Sequence, residues 1–406
     1  MSSSENTVNS TPLDMSRWRS VPTLLILVGA AVTLLGWITG GTDQFAFSLL
    51  VVFAFYTSIV VGSLFLVIAH HLFDASWSVA TRRVCESIAV QSKWLLIPWF
   101  FIWMLKDRIY NWSSINPEDD SLLAVKDWLF NSVSWPIASL MIIGIWIWFS
   151  TRLRFWSLRQ DETGSPECTY KMRMLSYTGV VLAIAIGLTF GSILWIKGIM
   201  YQFFSTMYGV WYFAGSVWLA LATVYTITAA LKRTGPLKDV ATDKTFYYLG
   251  TLLFAFTVFY AYVTFSQYFI IWNANVPEET FWYILREKGT WFQVSMVIIF
   301  GHFFIPFLAL LRIDVKLKFG FIVPLAAWAW LMHYMDMQFN IMPQLHPEGF
   351  HIAFVDFGLF ALLGGFLTKQ FLATLFSAPV YPQRDPRIAE AMDIYVAPAS
   401  ASGGTK

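Results

Sequence analysis

Apolar residues in this chain form long runs, and short polar stretches separate these runs. Ten runs are long enough to cross a bilayer, because a helix of about 20 residues spans its hydrocarbon core. They lie at about 21–39, 45–71, 92–106, 133–150, 173–196, 209–231, 246–272, 291–311, 319–337 and 351–376. The third run is short unless the amphipathic stretch from Glu86 is also helical. The pattern predicts an all-α polytopic membrane protein with about ten transmembrane helices.

Composition supports this prediction. Hydrophobic residues make up 57% of the 406 residues and charged residues only 13%. A soluble protein of this length could not bury that much apolar surface in one core. Both cysteines, Cys85 and Cys168, fall in predicted cytoplasmic segments, so we expect no disulfide. The sequence has no C-x-x-C motif, so we expect no iron–sulfur cluster bound by this chain.

The basic residues alternate from loop to loop. If the N-terminus is cytoplasmic, the segments on that side carry 20 of the 27 lysines and arginines, and the opposite loops carry six. Because positive charge resists translocation, this asymmetry predicts that both termini are cytoplasmic. From about Val380 the chain is rich in Pro, Ala, Ser and Gly, and we expect both tails to lie outside the fold.

An internal repeat relates two loops at an offset of 160 residues. Trp112, Pro117 and Lys126 in the first loop match Trp272, Pro277 and Arg286 in the second, without a gap. Convergence is the alternative, since interfacial Trp and helix-ending Pro are common at membrane boundaries. As a repeat, the match predicts two parallel four-helix bundles, spans 2–5 and 6–9, with spans 1 and 10 flanking them.

The repeat divides the chain into six expected regions. These are an N-terminal cytoplasmic tail (1–20), a first flanking helix (21–44), a first bundle (45–200), a second bundle (201–340), the tenth transmembrane helix (341–379) and a C-terminal cytoplasmic tail (380–406).

Three stretches carry a resemblance to a known family. The segment beginning His70-His71-Leu-Phe-Asp74, the block from Phe265 to Thr280, and Phe303–Arg312 resemble the membrane subunits of bacterial alternative complex III. An architecture of ten spans around two bundles resembles that of the ActF-type integral subunit of this complex. That subunit is a relative of polysulfide-reductase membrane subunits (the NrfD-like family). The resemblance implies a role in a quinol:cytochrome c or quinol:oxidase oxidoreductase of the bacterial inner membrane.

The resemblance also implies partners and cofactors. The partners are a sister NrfD-like membrane subunit, periplasmic iron–sulfur and cytochrome c subunits, phospholipids and in some cases a terminal oxidase, with no nucleic acid. Quinol, iron–sulfur clusters and haem c are expected in those partners, and no redox cofactor is expected in this chain. In the family the quinol site lies near the periplasmic mouth of the first bundle.

This chain departs from that pattern, because no histidine lies at the periplasmic ends of spans 2–5. Quinol oxidation releases protons and needs a titratable acceptor nearby. We therefore expect the sister subunit to oxidise quinol, and this chain to support the complex or conduct protons. A stand-alone transporter or channel for a small solute or ion is the alternative.

Polar residues at membrane depth are the candidates for a proton path, since each is costly in hydrocarbon. In the second half they are Ser266, Gln267, Tyr268, His302, His333, Asp336, His351, Asp356 and Lys369, and on the cytoplasmic side His70, His71, Asp74 and Glu86.

Structural roles compete with this hypothesis. The His70 group with Arg82 and Arg83 is also typical of a site that binds lipid phosphates. His333, Asp336 and His351 are also typical of residues that cap helix ends at the membrane interface. Lys369 is long enough to snorkel to the surface. His302 and His333 are expected about two helical turns, roughly 10 Å, apart in depth, which argues against a haem between them.

Overall fold

The computed structural model describes residues 16–394, with side chains from Ser20 onward. It is 82% helical, and the described part of the chain contains no strand. The expected all-α fold is confirmed. The predicted tails before residue 16 and after residue 394 lie outside the described residues.

Seventeen α-helices follow one another in this part of the chain. They are α1 (Ser16–Phe73), α2 (Val79–Ala89), α3 (Leu96–Met104), α4 (Lys106–Ile109), α5 (Ser121–Lys126), α6 (Ser134–Thr163), α7 (Pro166–Gly179), α8 (Gly187–Trp195), α9 (Tyr208–Thr234), α10 (Asp243–Ala274), α11 (Pro277–Arg286), α12 (Trp291–Ile298), α13 (Ile305–Leu310), α14 (Ile313–Leu317), α15 (Phe319–Ile341), α16 (Phe354–Leu375) and α17 (Ile388–Ala391). A π-helical turn, Val180–Ile186, joins α7 to α8, and another, Ile299–Phe304, joins α12 to α13.

Seven continuous helical segments of the described chain are long and apolar enough to cross a membrane. They contain eight of the ten predicted spans, because α1 contains two. Its 58 residues would measure about 87 Å if straight, against roughly 30 Å of hydrocarbon core. The helix breaks at Gly41, where φ is 81° and ψ is 173°, a conformation that glycine adopts at little cost.

The spans predicted at 92–106 and 319–337 are not among these seven segments. The first corresponds to the nine-residue α3 and the 3₁₀ turn Val90–Leu95 before it. The second corresponds to α15, which is 23 residues long but carries His333, Asp336 and Asn340. These polar residues lower its hydropathy, and all three are buried.

Helix contacts place the second part of α1 at the centre of the molecule. This part packs against α2, α7 and α9, and α6 packs against α7 and α8. On the other side, α9 contacts α10 and α15, and the turn Ile299–Phe304 contacts α10 and α15. The first part of α1 lies along α16, where glycines allow the two backbones to touch. Residues near the middle of α1 therefore face the helices of the second half.

The repeated loops have matching local structure. Each carries a short helix, α5 or α11, that ends in a cation. Lys126 donates to the carbonyl of Tyr201, beyond the end of α8. Arg286 donates to the carbonyls of Phe339 and Asn340 in the last turn of α15, at 2.9 and 2.8 Å. The last carbonyls of a helix have no donor within the helix. Lys126 and Arg286 therefore each supply a donor to such carbonyls, one in each half of the molecule.

Candidate functional site

A buried centre of three titratable side chains lies in the second half of the molecule. It consists of His302, His333 and Asp336, each at most 3% exposed. His302 lies in the π-helical turn Ile299–Phe304, and the other two lie one turn apart on α15. One ligand atom from each residue lies within 4.8 Å of the others. The structure thus brings together three of the predicted path residues.

The expected difference in depth between the two histidines is wrong. Their ring centroids are 6.3 Å apart. The sequence placed the end of span 9 at 337, four residues after His333, whereas α15 continues to Ile341. His333 therefore lies eight residues from the end of α15, and His302 eleven from the start of α12. At 1.5 Å per residue these depths differ by only about 5 Å.

Two aromatic rings fix the orientation of His302. The ring centroid of Trp218 lies 3.9 Å from that of His302 on one face of the imidazole. The ring centroid of Tyr260 lies 3.8 Å from that of His302 on the other face. Interplanar angles of 22° and 19° mean that both rings stack on the imidazole. The Trp218 indole N–H donates to Thr257 Oγ1 at 2.8 Å, which holds one side of the stack in place. Stacking on both faces leaves the ring nitrogens free at the imidazole edge.

Several polar atoms of the buried centre have no hydrogen-bond partner in the described structure. They are Nδ1 and Nε2 of His302, Nδ1 of His333 and Oδ2 of Asp336. The remaining atoms are anchored: His333 Nε2 lies 3.1 Å from Ser58 Oγ on α1, and Asp336 Oδ1 accepts from Asn340 Nδ2 at 3.2 Å. A buried polar atom without a partner is costly, so each of these atoms requires a proton, a water or another ligand.

The donor set of the buried centre also suits a metal ion. Two imidazole nitrogens and one carboxylate oxygen are ligands for Zn²⁺ and similar ions. The three ligand atoms all lie within 4.8 Å of one another, a spacing that accommodates either such an ion or a bridging water.

The His70 group lies in an ion-pair cluster with the C-terminal segment, here called the His70 cluster. Asp385, 2% exposed, pairs with Arg82 and also with Arg387 at 3.0 Å, and its Oδ2 lies 3.9 Å from His70 Nε2. Burial alone would raise the pKa of the Asp385 carboxyl, but the guanidinium groups of Arg82 and Arg387 hold this pKa below its ordinary value. The expectation that the chain leaves the fold at Val380 is wrong for residues 380–394, because this buried carboxylate attaches them.

Lipid phosphates do not have access to the two cluster arginines. The side chains of Arg82 and Arg83 are fully buried, and Arg83 pairs with Asp161 at 2.5 Å. Glu86, also buried, lies 3.2 Å from Arg82 Nε and 3.6 Å from Arg83 Nε. The arginines are thus neutralised by carboxylates of this chain, and the lipid-phosphate interpretation is wrong for both.

Hydrogen bonds fix the tautomer of His70. Its Nε2 lies 3.3 Å from Arg82 Nη1 and 3.1 Å from Arg387 Nη2, and guanidinium nitrogens only donate. Nε2 therefore accepts, and the ring proton is on Nδ1, which donates to Ser78 Oγ at 2.7 Å. His71 is buried, with Nε2 unpartnered among the described residues, whereas Asp74 is half exposed and pairs with Arg173 and Arg387.

The buried centre and the His70 cluster are not adjacent. On α1, Ser58 contacts the buried centre and His71 belongs to the His70 cluster. Thirteen residues separate them, about 20 Å along the helix. Ser63 lies between these two residues on the helix, and Thr57 lies next to Ser58. Both have a buried hydroxyl oxygen without a partner in the described range 16–394.

The other predicted path residues have local roles or lie at the surface. Gln267 links Ser205, at 2.6 Å, to Tyr283, at 3.0 Å. Asp356 accepts from the Ala353 N–H at 2.7 Å and so caps the start of α16. Of the remaining four, Ser266 is partly buried, and Tyr268, His351 and Lys369 are exposed.

Sequence reasoning missed several residues of these sites. Trp218, Tyr260 and Ser58 surround the buried centre, and Asp385 anchors the His70 cluster. Tyr260 was detectable as a polar residue in the middle of span 7, but in a chain with 17 tyrosines it does not stand out. His346 was also missed; its Nε2 lies 2.6 Å from Gln44 Oε1, and burial lowers its pKa, as does His351 to a smaller extent.

Comparison with known proteins identifies no family for this fold and site. No protein-family model matches the chain, and no curated protein matches it as a relative.

Proposed function

We propose that this chain is a proton-transferring membrane subunit of a quinol-oxidising respiratory complex. The observation that carries the proposal is the buried centre, in which His302, His333 and Asp336 each place one ligand atom within 4.8 Å of the others. Each of the three residues also holds a buried polar atom without a hydrogen-bond partner among the described residues. Titratable groups inside a membrane are costly and mark ion or proton pathways.

The chemistry of the buried centre suits proton transfer. A buried carboxylate without a cationic partner is strongly disfavoured, so Asp336 takes up a proton readily from a neighbouring donor. Imidazole accepts and releases protons near physiological pH, and His302 and His333 offer bare nitrogens for this exchange. The stacked rings of Trp218 and Tyr260 keep His302 in one orientation, so a proton moves between fixed positions.

Membership of a respiratory complex has separate support. It comes from the sequence resemblance of the His70 segment and the Phe265–Thr280 block to alternative complex III membrane subunits. In this proposal the chain binds no redox cofactor, and a sister membrane subunit together with iron–sulfur and haem c subunits carries the electrons. The complex lies in the bacterial inner membrane with both termini of this chain cytoplasmic.

The test compares proton movement in proteoliposomes that contain the intact complex. We expect Asp336→Asn and His333→Gln each to lower quinol-driven proton uptake or turnover by about 10²-fold, the usual contribution of a positioned acid–base group. Asp120→Asn and His346→Gln are the matched controls, because these residues lie outside the buried centre. The controls should keep the native rate.

Subunit stoichiometry is measured on the same samples. If the Asp336 and His333 variants assemble normally and keep both rate and proton coupling, the buried centre only packs helices. Gentle-detergent purification tests the other part of the proposal. A haem-bearing particle of several subunits is expected, whereas a lone colourless protein with solute flux would identify a stand-alone transporter.

A further inference from the structure

An apolar cavity of about 620 Å³ lies between α1, α9, α15 and α16, separate from the buried centre. Its volume is in the range of pockets that bind small ligands. Aliphatic and aromatic side chains form most of its wall, and α2 and the following turn contribute Ile88 and Gln91. A cavity of this composition inside a membrane protein suits a hydrocarbon chain.

The cavity extends over about half the length of α9 and of α16. On α9 it runs from Thr223, near the middle, to Thr234, the last residue. These eleven residues measure about 16 Å, close to half of a hydrocarbon core of roughly 30 Å. On α16 it runs from Gly364 to Phe376, again from the middle to the end. Its length therefore matches one acyl chain in one leaflet.

The deep end of the cavity has no free polar group for a ligand head. The Tyr56 hydroxyl donates to the Phe360 carbonyl at 2.9 Å. The Trp330 indole donates to Thr223 Oγ1 at 2.9 Å, and this hydroxyl donates to the Leu219 carbonyl. A quinone ring at this depth would find no donor for its carbonyl oxygens. The deep end suits the terminal methyl of a chain.

The polar groups lie instead at the outer end, where the helices finish. Gln91, 2% exposed, donates to the Ser87 carbonyl and to Thr374 Oγ1 in the last turn of α16. Its Oε1 has no partner in the part of the chain that the structure describes. Arg233, next to the wall residue Thr234, is exposed, and its guanidinium lies 3.6 Å from the Phe319 ring. An unpaired acceptor and an exposed cation complement a phospholipid head that carries donors and a phosphate.

We infer that this cavity binds a phospholipid of the phosphatidylethanolamine kind. One acyl chain fills the cavity as far as Tyr56 and Trp330, and the headgroup lies at the outer end beside Arg233, donating to Gln91 Oε1. This inference does not depend on the proposed proton transfer, because it rests on a different set of residues.

Native mass spectrometry of the protein, purified in mild detergent with its complex, tests the lipid. We expect one phospholipid per chain and at least a tenfold loss of its occupancy in Ala230→Phe, which places a ring in the cavity. Ala185→Phe makes the same exchange at an exposed position outside the wall and should keep the lipid. Gln91→Leu, which removes the free acceptor, should weaken binding with little change in wall volume.

Photolabelling of the unmodified protein gives a second measurement that requires no variant. Phosphatidylethanolamine with a diazirine at the end of its acyl chain should label the peptides that contain Tyr56 or Trp330. Recovery of a quinol in place of phospholipid, retention of the lipid by Ala230→Phe, or labelling only at the exposed helix surfaces would each overturn the inference.

Discussion

Histidines in this protein differ in what surrounds their ring nitrogens. Both nitrogens of His302 are buried without partners among the described residues, whereas those of His70 lie between Ser78 on one side and two arginines on the other. An imidazole with bare nitrogens is able to exchange protons, but protonating His70 would place a donor against two guanidinium groups. This contrast supports His302, rather than His70, as the carrier in the proposed proton transfer.

The Asp385 carboxylate should be the most important single charge for holding the C-terminal segment. We expect Asp385→Asn to lower the free energy of unfolding by about 3 kcal/mol, because Arg82 then stays buried without its carboxylate. Asp74→Asn is the matched control, since Asp74 pairs with two arginines at an exposed position, where ion pairs contribute about 0–1 kcal/mol. Thermal unfolding in detergent measures both variants.

Acid should remove this difference. The pKa of Asp385 is lower in the folded protein than the unfolded value of about 3.9, so its contribution is present above that value and is lost as the pH falls below it. The gap in stability between native protein and Asp385→Asn should therefore narrow below about pH 4. An equal loss in the Asp74 variant, or a gap that is constant with pH, would contradict this account.

At the scale of helices, glycines determine how closely α1 and α16 approach. A methyl group on Gly358 would overlap backbone atoms of Thr33, and one on Gly365 would lie 2.9 Å from the Pro22 carbonyl oxygen. Helices in membranes commonly associate through small residues that let their backbones approach closely. In lipid the hydrophobic effect does not drive helices together, so this packing matters more. The first and last spans are joined by these contacts.

Gly358→Ala should therefore be destabilising although alanine is the better helix former. We expect a loss of about 1–3 kcal/mol, as for overpacked cores, because the backbones cannot separate without losing contacts along α1. Gly144→Ala in α6 is the matched control, since nothing lies within 4 Å of the added methyl. It should be neutral or stabilise by up to about 1 kcal/mol. Equal melting temperatures of the two variants would show that the α1–α16 contact is loose.

For the whole molecule, the prediction concerns the orientation in the membrane. The loop between α6 and α7 and the loop that carries α5 should lie on opposite sides, because α6 is an apolar helix of 30 residues between them. Glu162→Cys and Ser121→Cys place thiols at exposed positions in these loops, and the native Cys85 and Cys168 are buried.

Labelling with a membrane-impermeant maleimide in whole cells should modify the Ser121→Cys protein and leave the Glu162→Cys protein unmodified until the membrane is opened. The native protein, whose two cysteines are buried, gives the background level of labelling. Labelling of both positions in intact cells would refute the ten-span topology.

Sequence alone determined the features that depend on neighbouring residues. Apolar runs predicted the membrane helices because hydropathy is a local property, and eight of the ten spans lie in long apolar helices. His302, His333 and Asp336 were found for the same reason, as polar residues within apolar runs. The family and the respiratory role stay predictions.

Tertiary structure decided what depends on distant partners. The two histidines meet because α15 continues to Ile341 and His302 lies in a π-helical turn, and neither helix end nor turn is encoded in a hydropathy pattern. Asp385 lies in a polar segment typical of an exposed tail, yet it is buried because Arg82, 303 residues earlier, needs an anion. Local composition gives the cost of burying a residue, and only the fold supplies the partner that offsets this cost.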